Sequence, residues 1–357
     1  MEASPSNMRA VFPFTAFVDQ ERLKLALLLN AINPRIGGVL IRGPKGTGKS
    51  TAVRALVDLL PEVEVVADCP FNCNPHDPTN MCELCRSRLM RGEKLPIERR
   101  KMEIVELPIG ATEDRVVGTL DIEKAIREGV RALEPGILAQ ANQNLLYIDE
   151  INLLPDHIVD CILDAAASGW NVVEREGISV QHPARFILVG TMNPEEGELR
   201  PQLLDRMALH TEVSTIRDPK LRMEVMRLNI EFEEDPIGFR ERYAERQREL
   251  MGRIERAKRL LPSVKVPEDL YEVVARMAID LNVDGHRPDI IIVKAAKALA
   301  ALRGREVMEP EDILECAYLA LSHRTRNMGV DPPASEAQIR EAFTRALKMI
   351  GRVEAEP

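Results

Sequence analysis

The sequence is poor in aromatic side chains: Phe, Trp and Tyr together make up 4% of the 357 residues. The hydrophobic cores must therefore be built mainly from aliphatic side chains. No apolar run approaches the roughly 20 residues that a membrane-spanning helix requires. The segment Met1–Asn7 has neither the basic region nor the apolar region of a secretory signal. We therefore expect a cytoplasmic protein without membrane insertion.

Basic residues are also fewer than acidic ones: the sequence has 48 Lys and Arg residues and 57 Asp and Glu residues, for a net charge of −9. A general nucleic-acid binder needs a basic footprint, so we expect no nucleic-acid partner. The length is sufficient for two domains. The six cysteines do not indicate the disulfide framework of a small secreted protein.

The most informative stretch runs from Gly43 to Ser50 and reads G-x-x-x-x-G-K-S, the pattern of a phosphate-binding loop. Its glycines let successive backbone N–H groups point at phosphate oxygens. Lys49 would reach the β- and γ-phosphates, and the Ser50 hydroxyl would bind Mg²⁺. A buried strand at 39–41 and a helix at 50–60 flank the loop, which argues against a glycine-rich turn without nucleotide. The expected ATP-binding residues are Gly43, Pro44, Lys45, Gly46, Thr47, Gly48, Lys49, Ser50 and Thr51.

Two carboxylates follow a second apolar strand at 145–148. Ligands bind at the carboxyl ends of parallel strands. We therefore expect Asp149 to orient Mg²⁺ with Ser50, and Glu150 to polarise the attacking water. Asn193 is the polar residue that ends another buried strand, in the run 185–194, and is expected to hold that water near the γ-phosphate. The alternative for Asp149 and Glu150 is two exposed acids after a strand, and the alternative for Asn193 is an Asn-Pro turn.

Four cysteines lie close together in the sequence, in the pattern C-x3-C-x8-C-x2-C, within a segment rich in turn-forming residues. A cluster of this kind in the cytosol is more often a metal site than a disulfide pair. We consider Zn²⁺, an iron–sulfur cluster, and thiols that only pack or act as a redox switch. The candidate ligands are Cys69, Cys73, Cys82 and Cys85.

The rest of the chain is mainly helical, and Asp218-Pro219 marks a boundary within it. A helix of mixed charge near 236–261 suggests either a solvated connector or a partner surface. An all-helical region follows, in which Pro310 is a first-turn proline. The other predicted elements are helices near 19–31, 121–133, 156–168, 268–281, 288–303, 310–324 and 336–350, strands near 103–108 and 209–213, and a hairpin near 174–180.

With these motifs the sequence resembles the AAA+ ATPases, and in particular the ATPase (I) subunits of magnesium chelatase. The resemblance covers nearly the whole chain, and its most specific stretches are 11–14, 37–40, 113–118, 156–160, 182–186 and 199–206. It implies an α/β fold: a P-loop domain with a five-stranded parallel sheet in three αβα layers, and a C-terminal all-helical lid. The expected division is a disordered terminus (1–10), an AAA+ domain (11–217) with a cysteine-rich insertion (68–101), a charged helical linker (218–262) and the helical domain (263–357).

The resemblance also implies a function. Subunits of this family form ATP-dependent rings, typically hexameric, that act with a second AAA+ subunit (D) and a porphyrin-binding subunit (H). ATP hydrolysis drives Mg²⁺ into protoporphyrin IX on the route to chlorophylls and bacteriochlorophylls. The alternative is a related AAA+ ATPase of the MoxR or cobaltochelatase type, acting on another client.

Two arginine roles follow by position in the family pattern. Arg206 is similar to the arginine finger offered to a neighbouring subunit, and Arg287 to the second sensor arginine of the lid. Positive charge at these positions would stabilise the transition state of phosphoryl transfer. The alternative for each is a surface salt bridge, and His286 and Pro288 depart from the pattern expected around the sensor. The cysteine cluster is a second departure, because many family members have other residues at some of those positions.

Overall fold

A computed structural model describes residues 10–120, 133–175 and 177–351. No helix in those ranges is long and apolar enough to cross a membrane. The strands, in chain order, are β1 (Val39–Arg42), β2 (Val63–Val66), β3 (Ile97–Arg100), β4 (Ile104–Leu107), β5 (Gly118–Leu120), β6 (Leu133–Pro135), β7 (Leu145–Ile148), β8 (Trp170–Arg175), β9 (Ile178–Pro183), β10 (Ile187–Met192) and β11 (Leu209–Glu212).

Five of these strands form one parallel sheet in the order β11-β1-β10-β7-β4. The three central strands are almost continuous apolar runs, as expected where both faces of a parallel sheet are covered. In register, Val39 of β1 lies between Val189 of β10 and Leu209 of β11. Because the strands are parallel, the residues that follow β1, β7 and β10 meet at one edge of the sheet. The remaining strands pair as the antiparallel ribbons β2-β3, β5-β6 and β8-β9.

The pleat of the sheet divides the core into two layers. Val39 and Ile41 face a cluster shared with the first helices and the lid, whereas Leu40 between them faces the cluster that contains the four cysteines. This arrangement of helices on both faces confirms the predicted α/β fold. Among the described residues before 210, the helices are Glu21–Ile32, Lys49–Val57, Glu83–Met90, Glu113–Val117, Ile137–Ala141, Asp156–Ser168 and Pro201–Arg206.

A helical region follows β11, and it packs onto the same core as the first layer. Its helices are Pro219–Glu234, Pro236–Leu260, Glu268–Asp280, Arg287–Leu302, Pro310–Leu321 and Glu336–Met349. Asp218 begins the first of them as an N-cap, because its side chain accepts hydrogen bonds from the N–H groups of Lys220 and Leu221.

The charged segment differs from the sequence prediction. It contains two helices, whereas only the second was predicted, and that helix is not simply a solvated connector. Its start is anchored by Phe239, which is buried against Phe12, and its end by Ile254 and Ala257, which lie in the main core. The charged residues between Phe239 and Ile254 occupy the other faces of this helix. They dominate its sequence pattern, so the buried apolar positions were not recognised.

Most other predicted elements lie within a few residues of the observed ones, and the helix Asp156–Ser168 has the predicted bounds. The predicted helix at 121–133 falls almost entirely outside the described residues, and Leu133 begins the short strand β6. The expectation of a disordered N-terminus also concerns residues that lie mainly outside the described ranges. The ribbon β2-β3 was not predicted; β2 precedes the cysteine-rich segment and β3 lies at its end.

Candidate active site and arginine face

The phosphate loop connects β1 to the helix Lys49–Val57, and its conformation depends on glycine. A Cβ on Gly43 would lie 2.3 Å from the backbone oxygen of Val213, and Gly48 has a φ of +80°. The Lys49 ammonium donates to the carbonyl oxygens of Gly43 (2.6 Å) and Pro44 (2.7 Å). Burial lowers the pKa of Lys49, although the carboxylates of Asp149 and Glu150 act in the opposite direction. The loop therefore holds a partly desolvated cation at the N-terminus of a helix.

Ser50 and Asp149 lie together at the sheet edge, linked by a side chain that the sequence analysis missed. The Tyr147 hydroxyl is 2.9 Å from Ser50 Oγ and 2.8 Å from Asp149 Oδ1. Burial raises the pKa of Tyr147 to about 12, so the phenol keeps its proton. Thr191 donates to the same Asp149 oxygen at 2.5 Å. A hydroxyl and an oriented carboxylate are hard oxygen donors of the kind that Mg²⁺ prefers, so these residues fit the Mg²⁺ that accompanies ATP.

Glu150 directly follows Asp149 and adopts a left-handed backbone conformation, with φ 54°. Its N–H donates to Thr191 Oγ1 at 3.2 Å, so one threonine fixes both acids. The Lys45 ammonium lies 3.5 Å from Glu150 Oε1 and 2.5 Å from Glu196 Oε1. Asn193 is buried, and its side-chain oxygen accepts from the N–H of Glu195. The loop, the two acids, Thr191 and Asn193 line one cavity of about 390 Å³.

A second cavity of about 610 Å³ adjoins the phosphate loop and shares Lys45, Gly46, Thr47, Gly48 and Thr51 with the first. Its far wall is largely apolar and comes from segments distant in the chain. That wall includes Phe12, Phe17, Val18, Ile216, Val225 and Leu228. Gln20 also lines it, and the buried oxygen Oε1 of this side chain has no hydrogen-bond partner. An apolar pocket with an unused polar atom beside a phosphate loop fits a nucleotide base.

Arg206 and Arg287 do not line either of these cavities. They line a third one, of about 270 Å³, together with Arg35 and Lys294. Arg206 forms ion pairs with Asp160 and Asp164 on the helix Asp156–Ser168. The salt-bridge alternative considered for Arg206 is thus present in this chain. The two arginines share a cationic face, which we call the arginine face.

A buried arginine that the sequence analysis missed supports this region. Arg324 donates to the backbone oxygens of Met207 (2.8 Å) and Ala320 (2.7 Å), and it contacts Asp205. Burial lowers the pKa of Arg324, with Asp205 acting in the opposite direction. Arg324 therefore joins the lid to the residues on either side of Arg206.

The four clustered cysteines converge at a separate place, within the second layer of the core. All are buried or nearly so, and their sulfur atoms lie within 4.8 Å of one another. Of the remaining cysteines, Cys316 is buried and Cys161 is half-buried.

Comparisons with known proteins agree with this architecture. Residues 122–202 match the sequence family described as magnesium chelatase, subunit ChlI, and residues 272–344 match the AAA lid domain. A magnesium-chelatase subunit ChlI homologue from Methanocaldococcus jannaschii is 57% identical over 96% of this chain and 93% of its own length. The ChlI subunit of Chlorella vulgaris is 53% identical over 97% and 98%.

Among solved structures, a cryo-EM-based structure of the BchI–BchD complex of magnesium chelatase contains a similar chain. That chain is 46% identical to this one, with a TM-score of 0.53 over 94% of this chain and 100% of its own. The resemblance stated from the sequence is thereby confirmed. The chain belongs to the family of magnesium-chelatase ChlI subunits, AAA+ ATPases with a helical lid.

Proposed function

We propose that this chain hydrolyses ATP as the motor subunit of a magnesium chelatase, within a homo-oligomeric ring, and so drives insertion of Mg²⁺ into protoporphyrin IX. The observation that carries the proposal is the meeting of Lys49, Ser50, Asp149, Glu150 and Asn193 around one cavity. It is supported by identity above 50% to ChlI subunits along nearly the full chain.

Binding of ATP is assigned to the phosphate loop and the adjoining apolar cavity. The N–H groups of the loop and the Lys49 ammonium hold the phosphates, and the cavity beside Phe12 and Gln20 takes the base. Ser50 and Asp149 are the groups that would hold Mg²⁺. When bound, Mg²⁺ neutralises charge on the phosphoryl oxygens. Tyr147 orients the carboxylate of Asp149 by its hydrogen bond.

Hydrolysis is assigned to the side chains beside the loop. Glu150 is the group that would polarise the attacking water, and Asn193 would position that water by its amide. Thr191 fixes the Glu150 backbone, whereas Lys45 competes for the Glu150 carboxylate. Exchange of the contact between Lys45 and Glu150 Oε1 for a contact with water would let this carboxylate act as a base.

The arginine face is assigned to the nucleotide of a neighbouring subunit. Arg206 and Arg287 line a cavity separate from the phosphate loop of their own chain, so a second copy is the natural recipient of their charge. Arg206 would then exchange Asp160 and Asp164 for phosphoryl oxygens. Further partners are the D and H subunits. The similar solved chain comes from a complex of BchI with BchD, which supports the first of these.

The division of labour along the chain is part of the same proposal. Residues 11–217 act as the nucleotide-binding domain, 218–262 as a linker and 263–357 as the lid. The ring is proposed to be a hexamer, as in related AAA+ ATPases.

The test is a reconstituted reaction that contains this chain, D and H subunits from the same organism, protoporphyrin IX, Mg²⁺ and ATP. Fluorescence of Mg-protoporphyrin that depends on this chain and on ATP is the expected result. ATP hydrolysis without that product would contradict the chelatase role. It would instead favour an ATPase of the MoxR or cobaltochelatase type with another client. The relative from Methanocaldococcus jannaschii is described as a homologue of ChlI, which is compatible with this second candidate.

A further inference from the structure

The cysteine-rich segment has few of the hydrogen-bonded elements that normally hold a chain in place. Between β2 and the helix Glu83–Met90 it forms one short 3-10 turn, Pro78–Asn80, and otherwise turns and loop. Its interior is nevertheless buried: Phe71, Met81 and all four cysteines lie in the second core layer. Something other than regular secondary structure must fix these side chains.

The sulfur atoms are arranged as a tetrathiolate site requires. Cys69 Sγ lies 3.5 Å from Cys73 Sγ and 3.9 Å from Cys82 Sγ, and all four sulfurs lie within 4.8 Å of one another. A tetrahedron of thiolates at about 2.3 Å from Zn²⁺ has edges of about 3.8 Å. A disulfide needs sulfurs about 2.05 Å apart, and all four cysteines are free.

The backbone around the cluster also suits an anionic metal site. Cys82 directly precedes the helix Glu83–Met90, and Cys85 lies in its first turn, where the helix dipole favours thiolates. The N–H of Cys82 donates to Cys73 Sγ at 3.0 Å. Thiols that only pack as small apolar groups need neither this hydrogen bond nor four converging sulfurs.

We propose that Cys69, Cys73, Cys82 and Cys85 bind one Zn²⁺ as a structural tetrathiolate site. Four S–H protons are released to solvent when the four Zn–S bonds form, and no redox step is involved. The inference does not depend on the ATPase assignment, because the cluster lies apart from the phosphate loop and the arginine face.

Zn²⁺ at this site would stabilise the segment 68–101, which polar contacts attach to the rest of the domain. Asn142 donates to the backbone oxygens of Phe71 and Asn72, both at 2.9 Å. Arg185, just before β10, donates to Asp77 Oδ2 at 2.8 Å and to Thr79 O at 2.9 Å. Loss of the metal should therefore loosen 68–101 and its attachment to the strand that carries Thr191.

The test is metal analysis of the full chain, purified without added metal or chelator. We expect about one zinc per chain in the wild type, and near zero in Cys82→Ser and Cys85→Ser. Cys161→Ser is the matched control, because Cys161 is a half-buried cysteine outside the cluster, and it should keep its zinc. Chains produced with Co²⁺ should show the strong visible absorption of tetrahedral thiolate coordination.

A measurement on the wild type keeps the test decisive if the variants fail to fold. Titration with an organic mercurial in the presence of a metal-sensitive dye should release zinc in proportion to the modification of the four cluster thiols. Wild type without metal, with free cluster thiols or with disulfides between them, would overturn the proposal. Iron with acid-labile sulfide would overturn it as well.

Discussion

Thr191 gives the sharpest test of how the site is built, because one buried hydroxyl serves both acids. It donates to Asp149 Oδ1 at 2.5 Å and accepts from the N–H of Glu150 at 3.2 Å. Valine has nearly the same shape, so Thr191→Val removes these bonds without opening a cavity. A hydrogen bond to a charged group contributes about 1.5–3 kcal/mol. At about 1.36 kcal/mol per tenfold change in rate, we expect ATP turnover to fall about 10- to 100-fold.

The assay compares steady-state ATP hydrolysis and binding of a fluorescent ATP analogue across three proteins. Thr191→Ser is the matched control, because it keeps the hydroxyl, and it should stay near the wild-type rate. Nucleotide binding by Thr191→Val should change less than turnover, since the phosphate loop is intact. A folded Thr191→Val protein that hydrolyses ATP at the rate of Thr191→Ser would refute the positioning role.

Three further predictions concern other parts of the molecule. Glu150→Gln should bind ATP but lose about 10²- to 10⁴-fold in hydrolysis, the range for removal of a general base, and near-normal turnover would contradict that role. Arg206→Ala should bind nucleotide yet be inactive and should inhibit rings mixed with wild type more than proportionally; simple dilution of activity would exclude a finger acting between subunits. Burial lowers the pKa of His210 to about 4, so below pH 6.5 the unfolded chain binds a proton that the folded chain does not. The stabilisation from neutral His210 is thus complete above pH 6.5 and is lost as the pH falls towards 4. The His210 contribution to the free energy of unfolding should decrease by about 2 kcal/mol between pH 7 and 5 in urea unfolding, and His210→Asn should remove that share, whereas the buried His182 and His323, whose pKa values burial also lowers, keep theirs.

The sequence was sufficient to predict the groups that lie at the ends of strands. A buried parallel strand is a run of apolar residues, and the polar residue after it marks the ligand-binding edge of the sheet. Asp149, Glu150 and Asn193 were predicted in this way, whereas the loop after β1 was predicted from its glycine and lysine pattern. This rule depends only on the local chain, so it needs no knowledge of the strand order.

Tyr147 and Thr191 were missed because they lie within strands that were interpreted only as buried, with the functional groups expected at the strand ends. Their importance depends on the strand order, since β10 lies between β1 and β7 and thus brings Thr191 beside Asp149. The contact between Tyr147 and Ser50 joins residues 97 positions apart. No local pattern contains that information.

The scarce aromatic residues illustrate the same limit. Phe12 lies 5.3 Å from Phe232 and 5.4 Å from Phe239, measured between ring centroids. The composition showed only that such residues are few. The fold brings several of them together where the segment around Phe12 packs on the helices Pro219–Glu234 and Pro236–Leu260, next to the cavity proposed for the base. Val225 and Leu228 of the unpredicted helix Pro219–Glu234 line this cavity, and Phe239 of the helix that was interpreted as a connector packs against Phe12 in its wall.

The placement of the arginine face makes a single chain an incomplete ATPase under the proposed function. The groups assigned to bind phosphate and those assigned to stabilise the transition state line separate cavities of one chain. Arg206 meanwhile stays paired with Asp160 and Asp164, so it has an internal partner whenever no neighbour is present. Its charge would reach a nucleotide only when a second copy is near enough to compete with these carboxylates. Hydrolysis per chain should therefore rise with protein concentration as rings assemble, and Arg324, which joins the lid to both sides of Arg206, would let movements of the lid reach that contact.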